Sequence, residues 1–279
     1  MDRVYDIAGV RLRVVVPEGY PCGVTEVLER FAVSGPADHT LEFCPVERLT
    51  PPEGALAYQD AGKRVYRFGE RQMRYDGAVD QSWEGAYLRI EREGARSFVQ
   101  LRQSAAPCGI TGKLVMDAME AEHLICRSAG FLLHAAVIEV EGKAILFTAP
   151  SGTGKSTQAA LWQKYRGAKP VNGDRAVVRG GTVWGIPFCG SSGSARPSVL
   201  PVAAIVYLSQ APQTQIRRLT GAEAFRRLWE GCSINIWDPE DMERCTDAVT
   251  GTVGAVPVYH LACTPNETAV LALAKEVGL

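Results

Sequence analysis

The sequence predicts an α/β protein in two parts: a β-rich domain over residues 1–105, then an α/β domain with a mixed sheet over residues 106–279. Three observations carry this. The first hundred residues break into short alternating or β-branched runs separated by Gly, Pro and Asp. Beyond residue 112, runs of helical period alternate with short apolar runs. Between the two, QSAAPCGITG at 103–112 gathers Pro, Gly and small residues, as a boundary does.

The N-terminal strands are read from VYDIAGVRLRVVV, HTLEFCPV, RVYRFG, MRYDG, YLRIER and SFVQLR, and nothing in them suggests catalysis. KLVMDAMEAEHLICRSAG sets Leu114, Val115, Ala118, Ala121, Leu124, Ile125 and Ser128 on one helical stripe, with Gly130 placed to stop the helix. LLHAAVIEV, the turn EGK and AILFTA follow as a tight hairpin. A turn at Glu141-Gly142 pairs residues whose numbers sum to about 283, which sets His134 opposite Ala149. A helix from 155 to about 166 comes next, then strands into VNGD, AVVRG, TVWGIPF and AAIVYLS (203–209). Thr220 to Glu223 and Thr264 to Glu267 have capping-box spacing, the second with Pro265 at the favoured first helical position. VPVYHLA between them is another apolar strand.

Composition narrows the function. Hydrophobic residues make up 46% and charged residues 22% of the chain, enough apolar residues for a packed core. A formal charge of -1 gives no electrostatic reason to expect nucleic acid or an anionic membrane as partner. The apolar runs are too short to span a bilayer, and MDRVYDIAGV lacks a basic-then-apolar signal pattern, so a cytoplasmic location is expected. The eight cysteines form no CxxC pair and read as reduced thiols. Histidines 39, 123, 134 and 260 do not supply zinc spacing with them.

TAPSGTGKSTQAALW, residues 148–162, carries the chemistry. A phosphate-gripping loop needs glycines that let backbone N–H groups converge, a lysine for the β- and γ-phosphates, and a hydroxyl for Mg²⁺. Gly152, Gly154, Lys155 and Ser156 supply these, and Ser151 to Thr157 form the expected nucleotide-binding set for ATP. The following helix adds its positive N-terminal end. Ala149 stands where the first glycine is usual. A dinucleotide fingerprint is set aside because the third glycine and an acidic partner are lacking. Mg²⁺ also needs a carboxylate, and Asp174 is the only Asp or Glu between Lys155 and residue 223. It is read as metal ligand, general base, or both. His134, brought to the loop's mouth by the hairpin, is a further catalytic candidate. Arg196, in the run GIPFCGSSGSARPS, and Arg175 are candidate contacts to substrate or phosphate.

LLHAAVIEVEGKAILFTAPSGTGKST, VNGDRAVV, GIPFCGSS and PVAAIVYLS together resemble the HPr serine kinase/phosphatase family, which is related in fold to the ATP-dependent phosphoenolpyruvate carboxykinases. The resemblance covers roughly residues 130–210. It implies transfer of the γ-phosphoryl group of ATP, with Mg²⁺, to a hydroxyl on a peptide, protein or metabolite. Lys155 and Ser156 match the loop lysine and metal-binding hydroxyl, His134 the upstream histidine, and Asp174 the second member of an acidic pair. The first member is Gly173 here, so either Asp174 carries both base and metal duties, or His134 or the substrate pocket supplies the base. The family's oligomeric habit makes a homo-oligomer an expectation. The N-terminal region does not match the HPr enzymes' regulatory domain. Gly173 also admits a rival, a non-catalytic nucleotide sensor. A carboxykinase-type lyase is disfavoured, because the chain is short and the metal-binding lysine and histidine are not evident.

Overall fold

The computed structural model describes residues 1–77, 82–106, 109–190 and 193–279. It is a mixed α/β chain with several sheets and seven α-helices among the described residues. It divides into two compact units, Met1–Glu120 and Ala121–Leu279.

The first unit contains β1 (Asp2–Ile7), β2 (Val10–Val15), β3 (Cys22–Gly23), α1 (Glu26–Glu29), β4 (Ala32–Val33), β5 (His39–Val46), β6 (Ala55–Gln59), β7 (Lys63–Phe68), β8 (Arg71–Gly77), β9 (Ala86–Glu93), β10 (Arg96–Arg102), β11 (Ile110–Thr111) and α2 (Gly112–Ala118). One sheet runs β4-β1-β2-β5-β10-β9-β8-β7-β6. Strand alternation buries Val10, Leu12 and Val14 of β2 and leaves the arginines between them exposed.

The unit boundary falls after Glu120, not near residue 105. Ile110 and Thr111 pair with Cys22 and Gly23. Arg74 Nη2 donates to the Asp117 carbonyl at 2.5 Å, and Ser97 Oγ donates to Glu120 Oε2 at 3.1 Å. These bonds tie the stretch after the Pro/Gly cluster to the sheet before it. The expected single helix is therefore two, α2 and α3 (Ala121–Arg127). Glu120 interrupts them with φ 46°, left-handed backbone that no α-helix continues through. Pro107, Cys108, Ser191 and Ser192, which belong to motifs read from the sequence, lie outside the described residues.

The second unit continues with β12 (Phe131–Val140), β13 (Lys143–Thr148), α4 (Lys155–Arg166), β14 (Lys169–Asn172), β15 (Arg175–Arg179), β16 (Thr182–Gly185), β17 (Val199–Gln210), β18 (Gln215–Leu219), α5 (Gly221–Trp229), β19 (Cys232–Ser233), α6 (Pro239–Ala255), β20 (Val258–Cys263) and α7 (Glu267–Val277). The strands run β13-β12-β15-β16-β17-β20-β18, and a further parallel pairing joins β13 to β17. β12 makes this arrangement, since residues 131–134 pair with β15 while residues 135–140 pair with β13. The apolar runs face two cores. Leu133, Ala135 and Val137 pack into one, and Ala136, Ile138 and Val140 into the other. That is why β12 and β13 read as near-continuous hydrophobic stretches. Fully buried Trp162 anchors α4 in the second core.

The hairpin has the expected register, from Val140 opposite Lys143 to Ala135 opposite Thr148. Glu141 and Gly142 both take positive φ, 50° and 76°, which suits a two-residue turn between twisted strands. Other local expectations are corrected. α3 ends at Arg127, and Ala129, not Gly130, adopts the left-handed turn (φ 58°). Gly130 is needed instead for close approach, because a Cβ there would lie 3.2 Å from the Val178 carbonyl oxygen. Thr220 precedes α5 without a side-chain cap, and Glu223 binds Arg217 rather than closing a box. α7 is capped by Asn266, whose Oδ1 accepts from the Ala269 N–H, so Pro265 is not its first residue. α6 had no counterpart in the sequence reading. Among the described residues, seven cysteines are free, and no helix is long and apolar enough to cross a membrane.

Candidate functional site

β13 ends at Thr148 and α4 begins at Lys155, so the glycine-rich loop joins a buried strand to a helix. Gly152 (φ 76°) and Gly154 (φ 117°) occupy the left-handed region. A Cβ on Gly152 would meet nothing within 4 Å, so glycine serves the torsion there rather than close packing. Ala149 is not among the positive-φ residues, which explains why alanine is accommodated where a glycine was expected. Gly154 is the N-cap of α4, so no side chain caps the first-turn N–H groups. Ser151, Gly152, Ser156 and Thr157 are exposed, and Thr153 and Gly154 are partly so.

Lys155 is buried, and its Nζ donates to the carbonyls of Ala149 at 2.8 Å and Pro150 at 3.3 Å. Burial lowers its pKa, and the Asp174 carboxylate pulls against that shift. The lysine is thus folded back beneath the loop, with the acid near enough for their charges to act on each other.

Asp174 owes its place to Asn172, a residue the sequence reading passed over. Buried Asn172 accepts the N–H groups of Asp174 and Arg175 on Oδ1, both at 2.9 Å. Its Nδ2 donates to the Ile186 carbonyl at 2.6 Å. The signal was the Asn-Gly-Asp order itself, since an asparagine side chain commonly binds the backbone two residues on. The Asp174 carbonyl accepts from the Ala135 N–H at 2.9 Å, which stitches the acid to β12 just past His134.

His134 Nε2 and Asp174 Oδ1 are 3.1 Å apart, both about one-third exposed. Burial lowers the His134 pKa, with the positive charges of Lys155 and Arg175 adding to the effect and Asp174 opposing it. The Thr148 hydroxyl donates to the His134 carbonyl at 3.0 Å, holding strand and loop in register. Gly190 presses on the acid from the other side, for a Cβ there would lie 3.0 Å from both Cβ and Cγ of Asp174.

Two arginines behave differently. Arg175 stays at the site, with Nε 3.7 Å from Asp174 Oδ2 and Nη1 3.8 Å from Glu122 Oε1. Arg196 is turned away. It binds Glu139 and donates through Nε to the Pro170 carbonyl at 3.1 Å, because the backbone of Arg196 pairs with Val171 on β14. In this conformation it is not brought to the loop.

Two cavities flank the loop. One, of about 560 Å³, is bounded by Gly152 to Gly154, Thr157, Leu208, Pro212 and Pro265. The other, of about 270 Å³, is bounded by His134, Arg175, Tyr207, Arg227, Glu230 and Ser233. Arg227, Tyr207 and Glu230 were not singled out from sequence, because Tyr207 on β17 meets the Arg227–Glu230 pair at the end of α5 only in the fold.

No family model matches the chain, and no curated protein matches it. Among solved structures, the HPr(Ser) kinase/phosphatase from Coxiella burnetii is similar, at 14% sequence identity and a TM-score of 0.27, over 53% of this chain and 88% of that one. The class defined here is a mixed α/β chain, and the likeness is a weak one at the level of fold.

Proposed function

We propose that the second unit is a P-loop kinase domain that transfers the γ-phosphoryl group of ATP, with Mg²⁺, to a hydroxyl, and that it works in the cytoplasm. The observation that carries this reading is the His134–Asp174 pair, 3.1 Å apart, beside a strand–glycine loop–helix whose first turn lacks a side-chain cap.

The residues fit the groups assigned to them. The left-handed glycines and uncapped helix end suit a polyphosphate, and exposed Ser156 with Asp174 suits a hard cation that takes oxygen ligands. When bound, Mg²⁺ would supply charge neutralisation on the phosphate oxygens. The larger cavity has room for the nucleoside. Lys155 offsets phosphate charge, and Asp174 takes the proton of the attacking hydroxyl. His134, 3.1 Å from that carboxylate, orients it and keeps it aimed at the acceptor side.

The test is incubation of the protein with ATP, Mg²⁺ and a pool of hydroxyl metabolites and serine peptides. A phosphorylated product is expected. Asp174→Asn should lower transfer by about 10²- to 10⁴-fold, the usual weight of a general base, while nucleotide still binds. Unchanged turnover in that variant would remove the catalytic assignment. Gly173, which leaves one carboxylate where the resembling family has two, favours a second reading as a nucleotide sensor. A sensor binds ATP and yields no product in the same assay.

A further inference from the structure

The smaller cavity carries an inference about the acceptor. Its two guanidiniums are held in different ways. Arg227 lies 4.4 Å over the Tyr207 ring, donates to the Tyr207 hydroxyl at 3.2 Å, and meets Glu230 at 3.2 Å. Its charge is fixed in place and largely answered. Arg175 meets its two carboxylates only at 3.7 and 3.8 Å, beyond hydrogen-bonding distance. A guanidinium offers a planar fork of N–H donors that matches a carboxylate. Arg175 and Arg227 both line the cavity, and of the two only Arg175 has no carboxylate within hydrogen-bonding distance. Its volume of about 270 Å³ suits a small molecule rather than a folded surface.

We propose that this cavity is the acceptor site and takes a small hydroxy acid, a molecule carrying one hydroxyl and one carboxylate. The inference rests on the kinase reading for its transfer step. The carboxylate binds the Arg175 fork, and the hydroxyl faces the His134–Asp174 pair. In that step the hydroxyl oxygen forms a bond to the γ-phosphorus. The bond from that phosphorus to the bridging oxygen breaks, ADP keeps the electron pair, and the hydroxyl proton passes to Asp174.

The experiment has two arms on the full chain. Titration calorimetry measures binding of ATP, L-serine, D-glycerate and the neutral analogues serinol and glycerol. Mass spectrometry then reads products after incubation with ATP and Mg²⁺, with a serine-containing peptide as an added acceptor. At least one acid should bind and be phosphorylated, with its neutral analogue at least tenfold weaker. Arg175→Gln should weaken acid binding about tenfold, as loss of a charge-assisted contact does, and leave ATP affinity unchanged. Arg175→Lys, which keeps the charge and loses the planar fork, serves as a second variant should the first fold poorly, and it should weaken acid binding in the same direction. Neutral polyols that bind as tightly as the acids would overturn the proposal. So would phosphorylation of the peptide with no transfer to any acid, although the kinase reading would then stand. Acid binding without any ATP binding would do the reverse, keeping the cavity's assignment and removing the kinase.

Discussion

Arg74 of the first unit and Arg175 of the second each stand on a strand close in sequence to an aspartate. Arg74 is buried, and its guanidinium is spent on Asp76, 3.0 Å from Nε, and on the Asp117 carbonyl, 2.5 Å from Nη2. Nearby Arg89 is used in the same way, by the Tyr75 hydroxyl at 2.9 Å and Glu91 at 2.7 Å. Arg175 is partly exposed and reaches acids only at charge-contact range. The first unit thus pairs the guanidiniums of Arg74 and Arg89 within itself. The second leaves the Arg175 guanidinium facing a cavity, as the acceptor site proposed above requires. Lys155 follows the same logic, since its partners are loop carbonyls rather than a carboxylate.

The largest expected difference tests that contrast directly. Arg74→Ala should cost about 3–5 kcal/mol of unfolding free energy, because it strands the largely covered Asp76 carboxyl without its guanidinium partner. Arg175→Ala should cost less than about 1 kcal/mol, as partly exposed ion pairs do. Denaturant titration of both variants checks this, and equal losses would break the comparison.

A pair of glycines sharpens it. Gly94 and Gly190 have nearly the same torsion, φ 55° and 54°. Alanine at either should cost about 1 kcal/mol in backbone strain. A Cβ at Gly94 meets nothing within 4 Å, whereas at Gly190 it meets the Asp174 side chain at 3.0 Å. Only Gly190→Ala should therefore lower phosphoryl transfer in the assay above. A similar loss in Gly94→Ala would show that strain, not displacement of Asp174, is responsible.

The smallest effect is in titration. His134 should titrate below the ordinary histidine value of about 6.5, as followed by its ring proton resonances. Removing the opposing carboxylate in Asp174→Asn should lower it further, and removing a neighbouring cation in Lys155→Met should raise it. The sign for stability follows. A folded-state pKa below the unfolded one means that the unfolded chain binds the proton more readily, so this contribution is lost as pH falls below about 6.5 through the folded value. Shifts in the opposite directions would remove His134 from the neighbourhood of both charges.

Legibility differed sharply between features. The hairpin register was readable because Glu141-Gly142 is a two-residue turn, and the pairing then follows by counting. α4 was readable because a single stretch holds its loop, its start and its anchor, Trp162. The split between α2 and α3 was not, for the stripe from Leu114 to Ser128 runs unbroken in sequence. What broke it was the Glu120 carboxylate, which is held by Ser97 Oγ and an ion pair with Arg92. The capping boxes expected at Thr220 and Thr264 do not form for a related reason. Hydroxyl-to-acid spacing states what a cap needs, but Glu223 had a stronger partner in Arg217.

The sequence by itself determined the strand–glycine loop–helix, its hairpin and a lone downstream aspartate, because each depends on torsions and spacings within a few residues. Only the tertiary structure decided that His134 and Asp174 meet, that Arg196 turns to Glu139, and that Arg175 shares a cavity with Arg227. Those outcomes depend on which strands pair and which charges are already satisfied. Both are long-range competitions that no local pattern records.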